Sequence, residues 1–282
     1  MNERQQEADF ATLQRLMVNL VQSQAGRRMD PKQAWLNDAQ TLSTKLFGHL
    51  VSLLALTAAH RVGIDDDRSF EFIDHASAKV VARAAFETYL VFFFIFGGSD
   101  RARSEFRHKI WRYGGLVDRQ KSHASTPETR AVKASEKLEM ERLVPEIESS
   151  PHFAAYDRAA AKKILKGEWR GGDSWAALGE HAGFPESYFR NVYGYLCGYS
   201  HASYISAMQI GQARSLDDQR ALASFCIGIG IVLMAHFARA YTALFDDLTP
   251  VLDADQEGKA AVARWCINAE SWAKALAKQE AR

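Results

Sequence analysis

The residues best placed to do chemistry in this 282-residue chain fall in two short stretches. The first is the run from Lys79 to Phe96, where Arg83 and Glu87 stand four apart in a helix that is otherwise apolar on nearly every side. Charges in such a setting must pair or give up their charge. An Arg83–Glu87 ion pair is the direct expectation, and an arginine so held can also receive an anion. The second is Tyr188 to Ser203, where Tyr193, Cys197 and His201 recur every four residues and so stack on one face of a continuous helix. Tyr188, Tyr195 and Tyr199 line an adjacent face. His201 is the candidate general acid or base, Arg83 and Glu87 complete the candidate catalytic set, and Tyr193, Cys197, Tyr199 and Ser200 are the candidate pocket residues. Two readings stay open: a working site, or a polar core that orients helices. Gly194 and Gly198, each costing about 1 kcal/mol inside a helix relative to alanine, point to a kink or to another helix in close approach.

A third stretch, Ser99 to His123, holds seven basic and three acidic side chains with Trp111 and Tyr113 between them. Arg103, Arg107, Lys109 and Arg112 are its candidate nucleic-acid contacts; a solvated basic face is the plainer meaning. Metal chemistry has little to stand on. Glu105 and His108 form one E-x-x-H flanked by arginines, with no second copy of the kind a di-iron bundle needs. The triplet Asp65-Asp66-Asp67 lacks a calcium-loop pattern and is expected to cap the next helix. No phosphate loop, dinucleotide fingerprint or nucleophile elbow occurs, so neither metal nor cofactor is expected.

The elements that must position these residues read as helices almost throughout. Periodicity of 3.6 recurs along the chain, while alternating runs and Asn-Gly turns are missing. The expectation is an all-α bundle of about nine helices. They cover Glu3–Ser23, Lys32–Arg61, Arg68–Phe96, Ser99–His123, a helix opened by Thr126-Pro127 and closed near Ser149, His152–Lys166, a short helix capped by Asp173 or Ser174, a helix starting at Pro185, Leu216–Phe245, and a last one from Pro250 to about Lys278. One helical domain over 1–282 is expected, divisible near 122–129, with the helix over 3–23 peripheral. Net charge is +1, from 35 basic and 34 acidic residues, which leaves no global attraction for nucleic acid. Cys197, Cys226 and Cys266 are an odd, widely spaced set, expected as free thiols in a reducing compartment. Hydrophobic runs at Tyr89–Phe96 and Ala221–Ala235 read as buried core rather than membrane spans. A cytoplasmic protein with no membrane partner follows.

From Trp169 to Ser203 the chain resembles a family of uncharacterised bacterial helical proteins known as a domain of unknown function. Members share an R-x3-E helix, a short helix led by tryptophan, and Y-x3-S-x3-H followed by a small residue. Arg83 and Glu87 match the first motif, Trp175 the second, and Tyr193 and His201 the third, with Cys197 where serine is the rule. The resemblance implies the fold and a pocket, not an activity. The family in turn somewhat resembles the HEPN group, many of whose members are ribonucleases of toxin and antiviral systems, which would imply a HEPN-like core. The arginine-to-histidine spacing of those ribonucleases is met by Arg101 and Arg103 with His108 and by Arg68 with His75, no more often than chance gives. Three functions stand side by side: a non-enzymatic interaction module, as a homo-oligomer or a subunit with a protein partner; an RNA-binding protein or metal-independent ribonuclease; and a small-molecule or nucleotide sensor.

Overall fold

The structure, a computed structural model, describes residues 3–273. The apolar stripe of the first segment folds as α1 (Glu3–Gln22), with Phe10, Leu13, Leu16, Met17 and Leu20 all buried. Asp30 caps the turn that follows, accepting from the Lys32 amide, and Pro31 opens a 3-10 segment to Leu36. Then come α2 (Asn37–Leu56), strands β1 (Ala59–Gly63) and β2 (Ser69–Ile73), α3 (His75–Phe96), α4 (Arg101–Lys121), α5 (Pro127–Glu148), α6 (Pro151–Ala154), α7 (Arg158–Leu165), α8 (Trp175–His181), α9 (Glu186–Ser200), α10 (Tyr204–Gln212), α11 (Leu216–Leu244), α12 (Thr249–Ala254) and α13 (Gln256–Trp265). With 76% of the residues helical, the all-α expectation holds. The helices are more numerous and shorter than the nine expected: His152–Lys166 breaks at Tyr156-Asp157, where Asp157 caps α7, and the expected last helix is cut at Asp255, which caps α13. Residues 274–278 of that expectation lie outside the described residues.

The hairpin corrects the reading of two long helices running to Arg61 and from Arg68. Ser69-Phe-Glu-Phe-Ile73 alternates over only five residues, too few to stand out, yet it pairs antiparallel with Ala59–Gly63. His60 and Phe72 face each other with ring centroids 5.8 Å apart. The aspartate triplet closes this hairpin instead of capping a helix. Asp65 Oδ1 accepts from the amides of Asp67 and Arg68, and its other oxygen takes the Arg68 side chain. The cap of α3 is Asp74, which accepts from the Ser77 amide. Asp100 rather than Ser99 caps α4.

Contacts divide the chain into two compact units, residues 1–92 with 179–282, and residues 93–178. In the first, α11 is the axis. Rather than lying at the periphery, α1 packs along α11 and α13. Gly230 permits this: a Cβ there would stand 2.8 Å from the Phe10 ring and 3.2 Å from Leu53. Buried Asp9 ties α1 to α13, accepting from Arg264 at 2.7 Å and from the Trp265 indole at 2.8 Å. Burial opposes its charge, but these donors hold its carboxyl below the ordinary value. By length and composition α11 could cross a membrane, and 72% of its most apolar window is buried within the fold. In the second unit, α4 lies along α5, and residues 122–129 form their connection. Gly114 admits the Gly167 carbonyl, which would stand 2.6 Å from a Cβ there, and Tyr113 donates to the Leu165 carbonyl at 3.0 Å.

His236, on α11, is fully buried, with Phe184 stacked on it at 4.3 Å. Neither ring nitrogen makes a well-formed hydrogen bond, although the Ala182 and Ile267 backbones approach. Burial first, then the Arg239 charge, push its pKa down to about 3 from an ordinary 6.5. Between those values the unfolded chain binds a proton that the folded one refuses, so stability falls as pH drops from 6.5 towards 3. At pH 5 this residue alone removes about 2 kcal/mol relative to pH 7. Urea denaturation at both pH values should show His236→Phe losing correspondingly less stability on acidification than the wild type; an unchanged difference would refute the assignment.

Candidate functional site

The polar residues of α3 extend further than Arg83 and Glu87. His75, Lys79, Arg83 and Glu87 recur every four residues and so form one line along the helix. Against them stands α9, met in antiparallel order: Glu87 by Tyr193, Lys79 by Tyr199.

At one end the expected pair forms. Arg83 Nε donates to Glu87 Oε1 at 2.9 Å, and Tyr193 donates its phenol proton to the same oxygen at 2.6 Å. The guanidinium lies over the Tyr193 ring, 5.5 Å from its centroid. Its NH1 reaches His201 Nε2 at 3.1 Å. Since arginine carries no acceptor, Nε2 presents its lone pair to the guanidinium. Burial opposes the arginine's charge, but Tyr193, Glu87 and nearby Cys197 more than offset it, and the pKa is raised. Burial, then Glu87, also raise that of the Tyr193 phenol, which therefore stays protonated. The group is open to water: the Arg83 and Glu87 side chains are 21% and 28% accessible, and His201 is exposed.

His201 owes its place to a helix end. The continuous helix expected through Ser203 stops at Ser200, with His201 as C-cap. Its amide still bonds to the Cys197 carbonyl at 3.1 Å, so it remains one turn above Cys197. Ala202 then turns left-handed (φ 51°), and the Ser203 amide bonds back to the Gly198 carbonyl at 2.9 Å, which closes a Schellman motif. A Cβ on Gly198 would meet Ser203 Oγ at 2.9 Å, so what approaches there is the chain's own turn after α9 rather than another helix. At Gly194 nothing comes within 4 Å.

At the other end of the line Lys79 is wholly buried, and among the described residues it has no carboxylate partner. Its Nζ contacts the His75 and Leu222 carbonyls at 3.2 and 3.1 Å, and His75 Nδ1 at 3.2 Å. The Tyr199 ring lies 4.5 Å away and the Tyr195 ring 5.9 Å. Burial lowers the lysine's pKa; burial and the lysine together lower that of His75. Buried Cys226 is pushed up to about 11 by its surroundings and is a thiol, not a nucleophile. Lys79 and His75 share the four-residue spacing of Arg83 and Glu87, a sequence signal that places them on the same line but does not show their burial.

Other nominated residues lie elsewhere. Tyr199 is buried and donates to Gln209 Oε1, and Ser200 donates to the Leu196 carbonyl within its own helix, so neither hydroxyl joins the Arg83 group. On α4, Lys109 pairs with Glu105 and Glu146, Arg112 with Glu139, and Arg119 with Glu136. Arg107 donates to the Phe94 carbonyl and covers the Phe94 ring, its pKa lowered by burial and then by Arg103. Arg103 is the one of the four nominated cations with neither an ion pair nor a side-chain bond among the described residues. The basic excess of α4 is thus largely answered by the glutamates of α5. His108 is buried beside Trp111, and among the described residues no group of three His, Cys, Asp or Glu is placed to hold a metal ion.

Both carbonyls that Lys79 touches belong to helices and keep backbone partners four residues on. Lys79→Met, which retains the stem and deletes the charge, should therefore stay within about 1 kcal/mol of wild type in urea melts or exceed it. Lys79→Ala should cost about 2–4 kcal/mol through the cavity it leaves. Equal losses in the two variants would mean that the ammonium itself holds the helices.

Trp175 leads α8, as the resemblance implied. Neither the curated proteins nor the solved structures contain a match to this chain. Residues 67–219, a span that holds Arg83, Glu87, Trp175, Tyr193 and His201, match a family of unknown function, DUF5677, and with more than half its length covered the chain belongs to that family.

Proposed function

We propose that the Arg83–Glu87–Tyr193–His201 group is a working site at which Arg83 receives a phosphodiester and His201 exchanges a proton with it, RNA being the substrate class that fits. The observation that carries this reading is the Arg83–His201 contact at 3.1 Å in a group that reaches solvent. A purely structural pair has no need of a histidine at an exposed helix end. Glu87 and Tyr193 fix the guanidinium from one side and leave the His201 side for an incoming anion. Arg83 would turn from Nε2 to a phosphate oxygen and hold the charge that grows on phosphorus. His201 Nε2, then free, would take the proton of a ribose 2′-hydroxyl as that oxygen attacks phosphorus. The 5′-oxygen leaves with a proton drawn from solvent, and His201 returns its own to water, giving a 2′,3′-cyclic phosphate and a 5′-hydroxyl. No residue in this scheme requires a metal. A distant HEPN-like affinity and a toxin or defence role in the cytoplasm belong to the same proposal.

Single-stranded RNA should bind at low salt, weaken steeply as salt is raised, and be cut to cyclic-phosphate ends in the presence of a chelator. His201→Ala should lower cleavage about 10²–10⁴-fold with binding largely kept, whereas Arg83→Lys should lower both, because a lysine cannot hold Glu87 and an anion together. Wild-type protein that neither binds nor cleaves RNA at low salt ends this reading.

A second reading, an interaction module that docks a second copy or another protein, is favoured by α10. Tyr204, Ile205 and Ile210 are 81%, 50% and 49% exposed, and no charge interrupts Tyr204–Gln212. Light scattering decides it: an oligomer that Ile205→Glu dissolves supports the module, and a monomeric wild type without a captured partner counts against it.

A further inference from the structure

On a different face of α9, the side bearing Tyr188 and Tyr195 rather than Tyr193 and His201, lies a cavity of about 580 Å³. We infer that this cavity binds an uncharged, planar heteroaromatic molecule of nucleobase size, stacked among its aromatic walls and read at its edge by the amides of Gln209 and Asn191.

The walls are rings in two edge-to-face pairs. Tyr195 and Phe225 lie 5.2 Å apart at 89°, and Tyr188 and Trp272 lie 5.1 Å apart at 78°. The Trp272 indole is held by its bond to Ser187 Oγ at 3.0 Å. Phe225 is 39% exposed although it sits on the helix that forms the core axis, so a large ring is kept at the cavity rather than packed away. The volume falls in the range of about 300–1,000 Å³ usual for small-molecule sites.

Polarity sets the class of ligand. Among the described residues no Asp, Glu, Lys or Arg lines the cavity, so a charged ligand would be desolvated there without a counter-charge from them. The polar side chains within hydrogen-bonding reach of a ring edge, besides the tyrosine hydroxyls, are two amides. Gln209 Oε1 accepts from both Tyr195 at 2.9 Å and Tyr199 at 2.7 Å, which fixes the orientation of the group. Its NH2 donates to nothing among the described residues, and the Asn191 amide has no hydrogen-bond partner there either. Tyr199 is in turn braced by the Lys79 ammonium at 4.5 Å, so the Gln209 carbamoyl hangs from a rigid support. A pre-set donor beside an amide that offers both donor and acceptor suits the edge of a nucleobase or a ring carboxamide.

Saturation-transfer NMR and calorimetry with adenine, cytosine and nicotinamide as probes, and toluene as an apolar control, test this on the full chain. At least one of the three polar probes should bind in competition with the others and more tightly than toluene. Asn191→Ala and Phe225→Leu should each weaken it about tenfold; both positions are exposed enough to leave the fold intact, which a thermal melt checks. Tyr193→Phe should leave it unchanged. The inference is overturned if none of the three binds at millimolar concentration, if toluene binds as well as they do, or if binding survives both cavity substitutions.

Discussion

A helix that is apolar on nearly all sides yet carries His75, Lys79, Arg83 and Glu87 on one line forces the structure around it to supply partners for three charges. Much of the first unit answers that demand. The requirement is asymmetric along the line: Arg83 finds a carboxylate one turn away on its own helix, whereas Lys79 finds none among the described residues and is met by the His75 carbonyl and imidazole of its own helix, the Leu222 carbonyl and the tyrosine faces of α9. Helix α9 therefore has to present tyrosines in a fixed register, Tyr193 at one end and Tyr199 at the other. Sliding α9 would take the Tyr199 face away from the buried Lys79 and the Tyr193 hydroxyl away from Glu87.

The same register explains why α9 ends where it does. A further helical turn would carry the chain on past His201 and leave no room for Ser203 against Gly198. The Schellman closure at Ala202 instead turns the chain at once into α10, with Ser203 serving both as the group that covers Gly198 and as the N-cap of the next helix. Alanine in the left-handed region costs of the order of 1 kcal/mol that glycine would not. That strain sits beside the exposed histidine, at the point where the polar line meets solvent. Strain at such a place is a ground for suspecting function rather than proof of it.

What could be read from the residues was whatever rests on local spacing. The helical class, the Arg83–Glu87 pair and the cap-and-proline start at Thr126 all follow from contacts within a few positions or from period 3.6, whereas Tyr193 meets Glu87 across 106 positions. The hairpin was not legible, since five alternating residues in Ser69–Ile73 give too short a signal against long helical neighbours. Nor was the fate of the α4 cations. A run of arginines reads as a free basic face until the glutamates of α5 are laid against it, and that pairing depends on tertiary contact. Lys79 shows the opposite failure, in which the spacing was visible but a lone lysine in an apolar run looks like a solvated tip until its burial is known.

The two ends of the line differ in one respect that bears on chemistry. Lys79, His75 and Cys226 are buried, and burial drives all three towards their neutral forms. Around Arg83 the field runs the other way. The guanidinium is held charged, the phenol beside it protonated, and the histidine opposite is open to solvent. One helix thus carries a buried, rigid anchor and, a single turn on, a persistent cation with an accessible imidazole. Reactive groups are held to a fixed geometry best when their support is immobile. A buried anchor next to an open cation therefore holds Arg83 beside His201, the support that the proposed site needs.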